Sequence, residues 1–165
     1  MNGPLRRVGI GVDGHPFGPG RPLRLGGIEI AGAPALFGHS DGDAALHAVA
    51  DALLGAAGLG DLGRHHPADD RTPRGVSSAD LLASIVARLR DAGWRPEAVD
   101  LTIVAARPRL APHLEAMQSA IAGLRGVQNE VVSGKASTGN LGGDAGAGRS
   151  IEVRAVATVT RLETR

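Results

Sequence analysis

Residues 41–58, DGDAALHAVADALLGAAG, decide how the rest of the chain is read. Leu46, Ala50, Leu53, Leu54 and Ala57 recur at helical spacing, and the segment is rich in Ala and Leu, so it predicts an amphipathic helix that ends where glycines follow. One stripe of that helix is polar. Asp43, His47 and Asp51 fall at four-residue steps and share a face, while His39 and Ser40 stand where the helix begins. Two readings are open for this stripe. Acids and hydroxyls at a helix start often serve only as caps beside solvated side chains. Against that, LHAV sets His47 in an apolar run, where the ring is buried and needs a polar partner.

Outward from this helix, residues 60–77, GDLGRHHPADDRTPRGVS, form a long polar loop without a core pattern, of the kind that often carries function. SSADLLASIVARLRDAG, residues 77–93, predicts a second helix with a Ser cap, an acid in its first turn and a glycine stop. AVDLTIVAA (98–106) reads as a strand, PHLEAMQSAIAGLRG (112–126) as a third helix opened by proline, and 129–137 and 150–162 as closing strands. Residues 5–13 and 21–32 read as two extended segments joined by a GPG turn, a hairpin. TGNLGGDAGAG, between the closing strands, is almost all turn residues and is expected to be mobile. With no repeat and no linker, the expectation is one domain over 1–165. Its class is α/β (α+β), a small sheet with helices packed on one face.

Composition narrows the function. Eighteen Lys and Arg balance seventeen Asp and Glu for a net charge of +1, and the chain has no Tyr, one Trp and two Phe. Neither a polyanion-binding surface nor a base-stacking platform follows, so nucleic acid is not an expected partner. There is no Cys, which leaves His and carboxylates to bind any metal and fits a reducing compartment. No apolar run reaches membrane-spanning length and the start, MNGPLRR, lacks a secretory signal, so the expectation is a cytoplasmic protein that engages no membrane.

GVDGHPF, residues 11–17, supplies the second half of the chemistry. In a strand, residues i and i+2 face the same way, so Asp13 and His15 stand side by side. Alone, such a pair is common on surfaces. Joined with His47 it makes a His₂-carboxylate set, the type that holds Zn²⁺ with one position left for water or substrate. Spacing alone does not show that the three converge.

GVDGHPF (11–17), HSDGDAALHAVADALLGAAGLGDLG (39–63), VDLTIVAARPRLAPHL (99–114) and KASTGNLG (135–142), in this order, resemble the 2-C-methyl-D-erythritol 2,4-cyclodiphosphate synthase family. The 39–63 stretch is the most specific of the four. The resemblance implies a homotrimer with active sites at subunit interfaces, a Zn²⁺ held by Asp13, His15 and His47, and a CDP-linked small-molecule substrate. It implies that a 2-phosphate attacks the β-phosphorus and CMP leaves, in non-mevalonate isoprenoid synthesis. By the same match His39, Ser40 and Thr138 are catalytic. Asp61 and Gly63 line the polyol, and the nucleotide and diphosphate meet Ala105, Pro108, Arg109, Leu110, Ala111, Ala136 and Ser137.

The chain departs from the family in three places. Near Asn140 the family carries a Glu for a second ion, Mg²⁺ or Mn²⁺, and a neutral ligand attracts a hard cation less, which puts that second site in question. TGRGEG, facing the trimer axis, is replaced by DAGAGRS (144–150), so Ala147 and Arg149 change the charge there. FPDTD is replaced by HHPADD (65–70), in which His65 and His66 are expected to be solvated. Two further readings follow: a diverged relative that cyclises another CDP-linked phosphorylated polyol, and a non-catalytic trimeric module that binds CDP or CMP.

Overall fold

The computed structural model describes residues 4–126 and 129–162, so the outermost residues of the expected 1–165 domain lie outside it. Its centre is α1 (Ala44–Ala57), which starts as the apolar periodicity predicts and ends at Gly58 in the left-handed conformation. Eleven of its fourteen residues are buried, among them Leu46, Leu53 and Leu54.

Beneath α1 lies a four-stranded sheet in the order β1 (Arg6–Pro16), β6 (Ser150–Arg161), β4 (Trp94–Val104), β5 (Val132–Ser137). β6 runs antiparallel to both β1 and β4, whereas β4 and β5 are parallel. The connection between β4 and β5 carries α4 (Leu114–Arg125), as a parallel pair requires. At Pro96, which has no N–H to give, the β4 ladder shifts register, and the freed Ala98 N–H donates to Thr158 Oγ1 at 3.1 Å. With α3 (Ser78–Asp91) against β4 and α4 against β5, the helices form one layer on one side of the sheet. This is the mixed α/β architecture expected.

One expectation is overturned. Residues 5–13 do not pair with 21–32. β1 pairs along its whole length with β6, from Arg6 opposite Thr160 to Pro16 opposite Ser150. Residues 21–32 instead fold on themselves as β2 (Leu23–Leu25) and β3 (Ile28–Ile30), turning at Gly26 and Gly27, both at positive φ. The long pairing wins because it lets β1 sit under α1.

Smaller corrections follow. Ser77 occupies the cap position of α3 but its side chain makes no cap bond. Pro112 lies in a 3₁₀ turn, Ala111–His113, ahead of α4. The 60–77 loop contains one helical turn, α2 (Leu62–His65). Residues 139–149, read as turn residues, contain a 3₁₀ turn at Gly139–Leu141 and then α5 (Gly143–Gly146). That fold is tight: Gly146 packs on the Leu141 backbone, where an added Cβ would come to 2.4 Å.

Candidate functional site

The approach of α1 to β1 builds the site. Gly9 and Gly11 face the helix, and a Cβ on them would lie 2.2 Å from the Ala52 carbonyl oxygen and 2.0 Å from that of Ala48. Only glycine admits this contact. It brings His47, one residue before Ala48, against Asp13 and His15 on the same face of β1.

Asp13 Oδ2 lies 2.8 Å from His15 Nε2 and 3.0 Å from His47 Nδ1, and the two ring nitrogens are 3.4 Å apart. A tetrahedral ion with bonds of about 2.0–2.1 Å spaces its ligand atoms by about 3.4 Å, so this triangle is close to one face of such a tetrahedron. Two imidazole nitrogens this close to one carboxylate oxygen need protons or a cation between them. The three residues form the one group of potential ligands with this convergence among the described residues, and they fit a divalent ion.

Electrostatics agree with the geometry. Burial opposes ionisation of Asp13, but hydrogen bonds and charge from His15 and His47 together outweigh it and hold the carboxyl well below the ordinary range. The hydrogen bond to Asp13 raises the His15 pKa against the opposing effect of burial.

A recess of about 290 Å³ opens beside the triad, and His39, Ser40 and Gly63 are among the residues that line it. His39 donates Nε2–H to the Thr72 carbonyl at 2.6 Å. Ser40 Oγ is 3.1 Å from His47 Nε2. Asp61 is not in this lining. Its carboxylate caps α2, accepting from Arg64 N at 3.0 Å and pairing with the Arg64 side chain.

His65 and His66, expected to be solvated, are half-buried and tethered. His65 donates to the Leu59 carbonyl at 2.9 Å. His66 donates Nε2–H to Ser84 Oγ at 2.7 Å, since the Ser84 hydroxyl is itself spent on the Leu81 carbonyl. The His66 pKa is lowered, first by burial and then by the charges of Arg88 and His65. His66, Ala68 and Thr72 all line the recess, and Thr72 Oγ1 is buried without a partner among the described residues.

Sequence reasoning set Asp51 on the polar stripe with His47 but gave it no role, and it missed Ser78. Asp51 also lines the recess and accepts from Leu62 N at 2.7 Å; burial raises its pKa, with that N–H pulling the other way. Its place one turn after His47 was the available signal. Ser78, the second residue of the 77–93 segment, lies 2.9 Å from His47 Nε2 through its hydroxyl; only the tertiary fold reveals that contact.

A second recess, of about 220 Å³, gathers the residues matched to the nucleotide. Ala105, Pro108, Arg109, Leu110 and Ala111 line it with Ala136, Ser137 and Thr138. The segment that follows β4 supplies the first five, and parallel pairing of β4 with β5 places the end of β5 beside them. Thr138 therefore stands with the nucleotide set, not with the triad. Within a single chain the two recesses share no lining residue. Asn140 is exposed in the 3₁₀ turn, at φ 52°, a left-handed conformation that Asn tolerates.

The family model of the YgbB family matches residues 6–160. The chain belongs to the YgbB family. Similar proteins include the 2-C-methyl-D-erythritol 2,4-cyclodiphosphate synthase of Chromobacterium violaceum, 49% identical over 150 residues that cover 91% of this chain and 95% of that one. The synthase of the same name from Symbiobacterium thermophilum is 47% identical over 152 residues, covering 92% and 97%. Among solved structures, the bifunctional IspDF of Campylobacter jejuni superposes with a TM-score of 0.92 at 33% identity, over 98% of this chain and 44% of that one. A CDP-bound 2C-methyl-D-erythritol-2,4-cyclodiphosphate synthase superposes at 0.79 with 35% identity, covering 92% and 98%. The resemblance drawn from the four motifs thus holds over nearly the whole chain.

Proposed function

We infer that the protein is a Zn²⁺-dependent phosphorus-oxygen lyase that converts 4-diphosphocytidyl-2-C-methyl-D-erythritol 2-phosphate to 2-C-methyl-D-erythritol 2,4-cyclodiphosphate and CMP, in isoprenoid biosynthesis in the cytoplasm. The observation that carries this reading is the Asp13–His15–His47 triangle at the wall of a recess that also holds His39 and Ser40. A 2-phosphate oxygen attacks the β-phosphorus and the bond to the bridging oxygen breaks, so CMP leaves with the electron pair. Zn²⁺, when bound, supplies Lewis-acid polarisation of the β-phosphate. The protein's share is alignment and charge neutralisation, with no covalent intermediate.

In this reading His39 and Ser40 hold the 2-phosphate, Gly63 lines the polyol with Asp61 at its edge, and the Ala105–Thr138 recess takes cytidine and the diphosphate. Because the two recesses are separate within one chain, a complete site needs the second recess of a neighbouring copy, which supports a homotrimer. The sheet's uncovered face supports it too, since Val8, Ile10 and Val12 stand 66%, 67% and 59% exposed there. The second ion, Mg²⁺ or Mn²⁺, is left with Asn140 in place of a carboxylate.

The assay is the authentic substrate with Zn²⁺ and Mg²⁺, followed by phosphorus NMR. CMP and the cyclic diphosphate are expected, and their absence at full zinc occupancy overturns the reading. One observation favours a second reading, a related CDP-linked polyol as substrate. Ala68 has no carboxylate to offer the polyol, while His66, which lines the same recess and gives Nε2–H to Ser84, keeps Nδ1 as an acceptor for a hydroxyl. Turnover of such a polyol in preference to methylerythritol would establish it.

A further inference from the structure

His47 is gripped from behind. Ser78, 1% exposed at the start of α3, places its hydroxyl oxygen 2.9 Å from His47 Nε2. Asp41 takes both of Ser78's protons: one carboxylate oxygen accepts the hydroxyl proton, and the other accepts the Ser78 backbone N–H at 3.1 Å. A serine whose proton is committed to a carboxylate has only lone pairs left for a neighbouring ring. His47 Nε2 must then be the donor. With the proton on Nε2, the lone pair of His47 is on Nδ1, the atom that faces Asp13 and His15.

We propose that Asp41, acting through Ser78, is a positioning residue that fixes His47 as the Nε2–H form and so presents Nδ1 to the divalent ion. The inference rests on the reading of Asp13, His15 and His47 as an ion site. Metal-bound imidazoles generally need such a partner on the far nitrogen, and losing it costs about 10- to 100-fold in metal affinity. His15 is backed differently, by a hydrogen bond with the Phe37 backbone. The two rings are thus held by unlike devices, and only that of His47 can be altered by a side-chain substitution.

The same polarity decides what Ser40 does. Its oxygen receives the Gly42 N–H at 3.2 Å and lies 3.1 Å from His47 Nε2. Its oxygen thus accepts from Gly42 and shares the His47 Nε2–H with Ser78, while its own proton can turn to Ser78 Oγ, 3.4 Å away, or into the recess that Ser40 lines. Asp41 therefore sets the two sides of the His47 ring at once: Nε2–H toward the two serines, and Nδ1 bare toward the ion.

The test uses the full-length protein and four variants, with Zn²⁺ affinity measured by chelator competition. Cobalt-substituted protein is used for proton NMR of exchangeable imidazole N–H signals. Ser78→Ala and Asp41→Asn should each weaken Zn²⁺ binding about 10- to 100-fold, while Ser78→Thr, which keeps the hydroxyl, should restore it. In the parent the His47 N–H should exchange slowly with solvent, and in Ser78→Ala quickly. If His47→Ala abolishes binding while Ser78→Ala and Asp41→Asn bind like the parent, the relay is wrong and the ion site stands. If His47→Ala itself binds Zn²⁺ like the parent, the ion site is wrong. The parent's N–H signal needs no variant to fold, and finding the His47 proton on Nδ1 in the loaded protein overturns the proposal outright.

Discussion

Asp43 shows how much one side chain can organise. One of its oxygens accepts from Gly26 N at 2.8 Å and from Ala45 N and Leu46 N at 3.1 and 3.0 Å, and the other accepts from Gly27 N at 2.7 Å. It caps α1 and pins the β2–β3 turn to it. Asp43→Ala removes a cap and strands buried donors, for an expected loss of about 3 kcal/mol or more in urea unfolding. Asp13 and His15 give a pH signature in the metal-free protein. Asp13 titrates below its unfolded value of 3.8, so its contribution is full above that and lost as pH falls through the lowered pKa. His15 titrates above its unfolded 6.5, so its contribution is full below that and lost as pH rises through the raised one. Urea midpoints of the apo-protein should therefore benefit from this pair most between these two values, and Asp13→Asn should flatten the profile. The triad was legible because residue type and strand or helix spacing already put two ligands on one face and the third in an apolar run. Ser78 was not, because its contact with His47 joins residues 31 apart that only tertiary packing brings together.

At the scale of elements, the helices were legible and the strand partnership was not. α1 and α3 announce themselves by local periodicity, whereas β1 finds its neighbour 134 to 154 residues away, and nothing local in residues 5–13 names β6 over residues 21–32. The alternation in β1 also misleads. Val8, Ile10 and Val12 would ordinarily face the core, yet they point away and the glycines point in. The reason is distance: α1 rides too close for any Cβ. Gly11→Ala should cost about 3 kcal/mol by overpacking. It should also weaken Zn²⁺ binding, because the helix that yields carries His47. A differential scan and a zinc titration of the same variant check both effects.

For the whole molecule, the uncovered sheet face carries a contiguous row of exposed apolar side chains. Its apolar row, Val8, Ile10 and Val12 with Val156 on β6, is flanked by the ion pairs Arg6–Glu97 and Asp100–Lys135. If three copies meet there, Ile10→Arg should shift the sedimenting species from trimer toward monomer and abolish turnover while leaving the helical signal intact. The two separate recesses explain why turnover should fall with it. Finally, the contact of Gly9 and Gly11 with α1 makes the triad a socket rather than a clasp. Its three ligands are anchored by a backbone-to-backbone seam that owes nothing to the ion. A chelator should strip the metal without melting the protein, far-ultraviolet circular dichroism should barely change, and re-added zinc should restore full occupancy without a refolding phase.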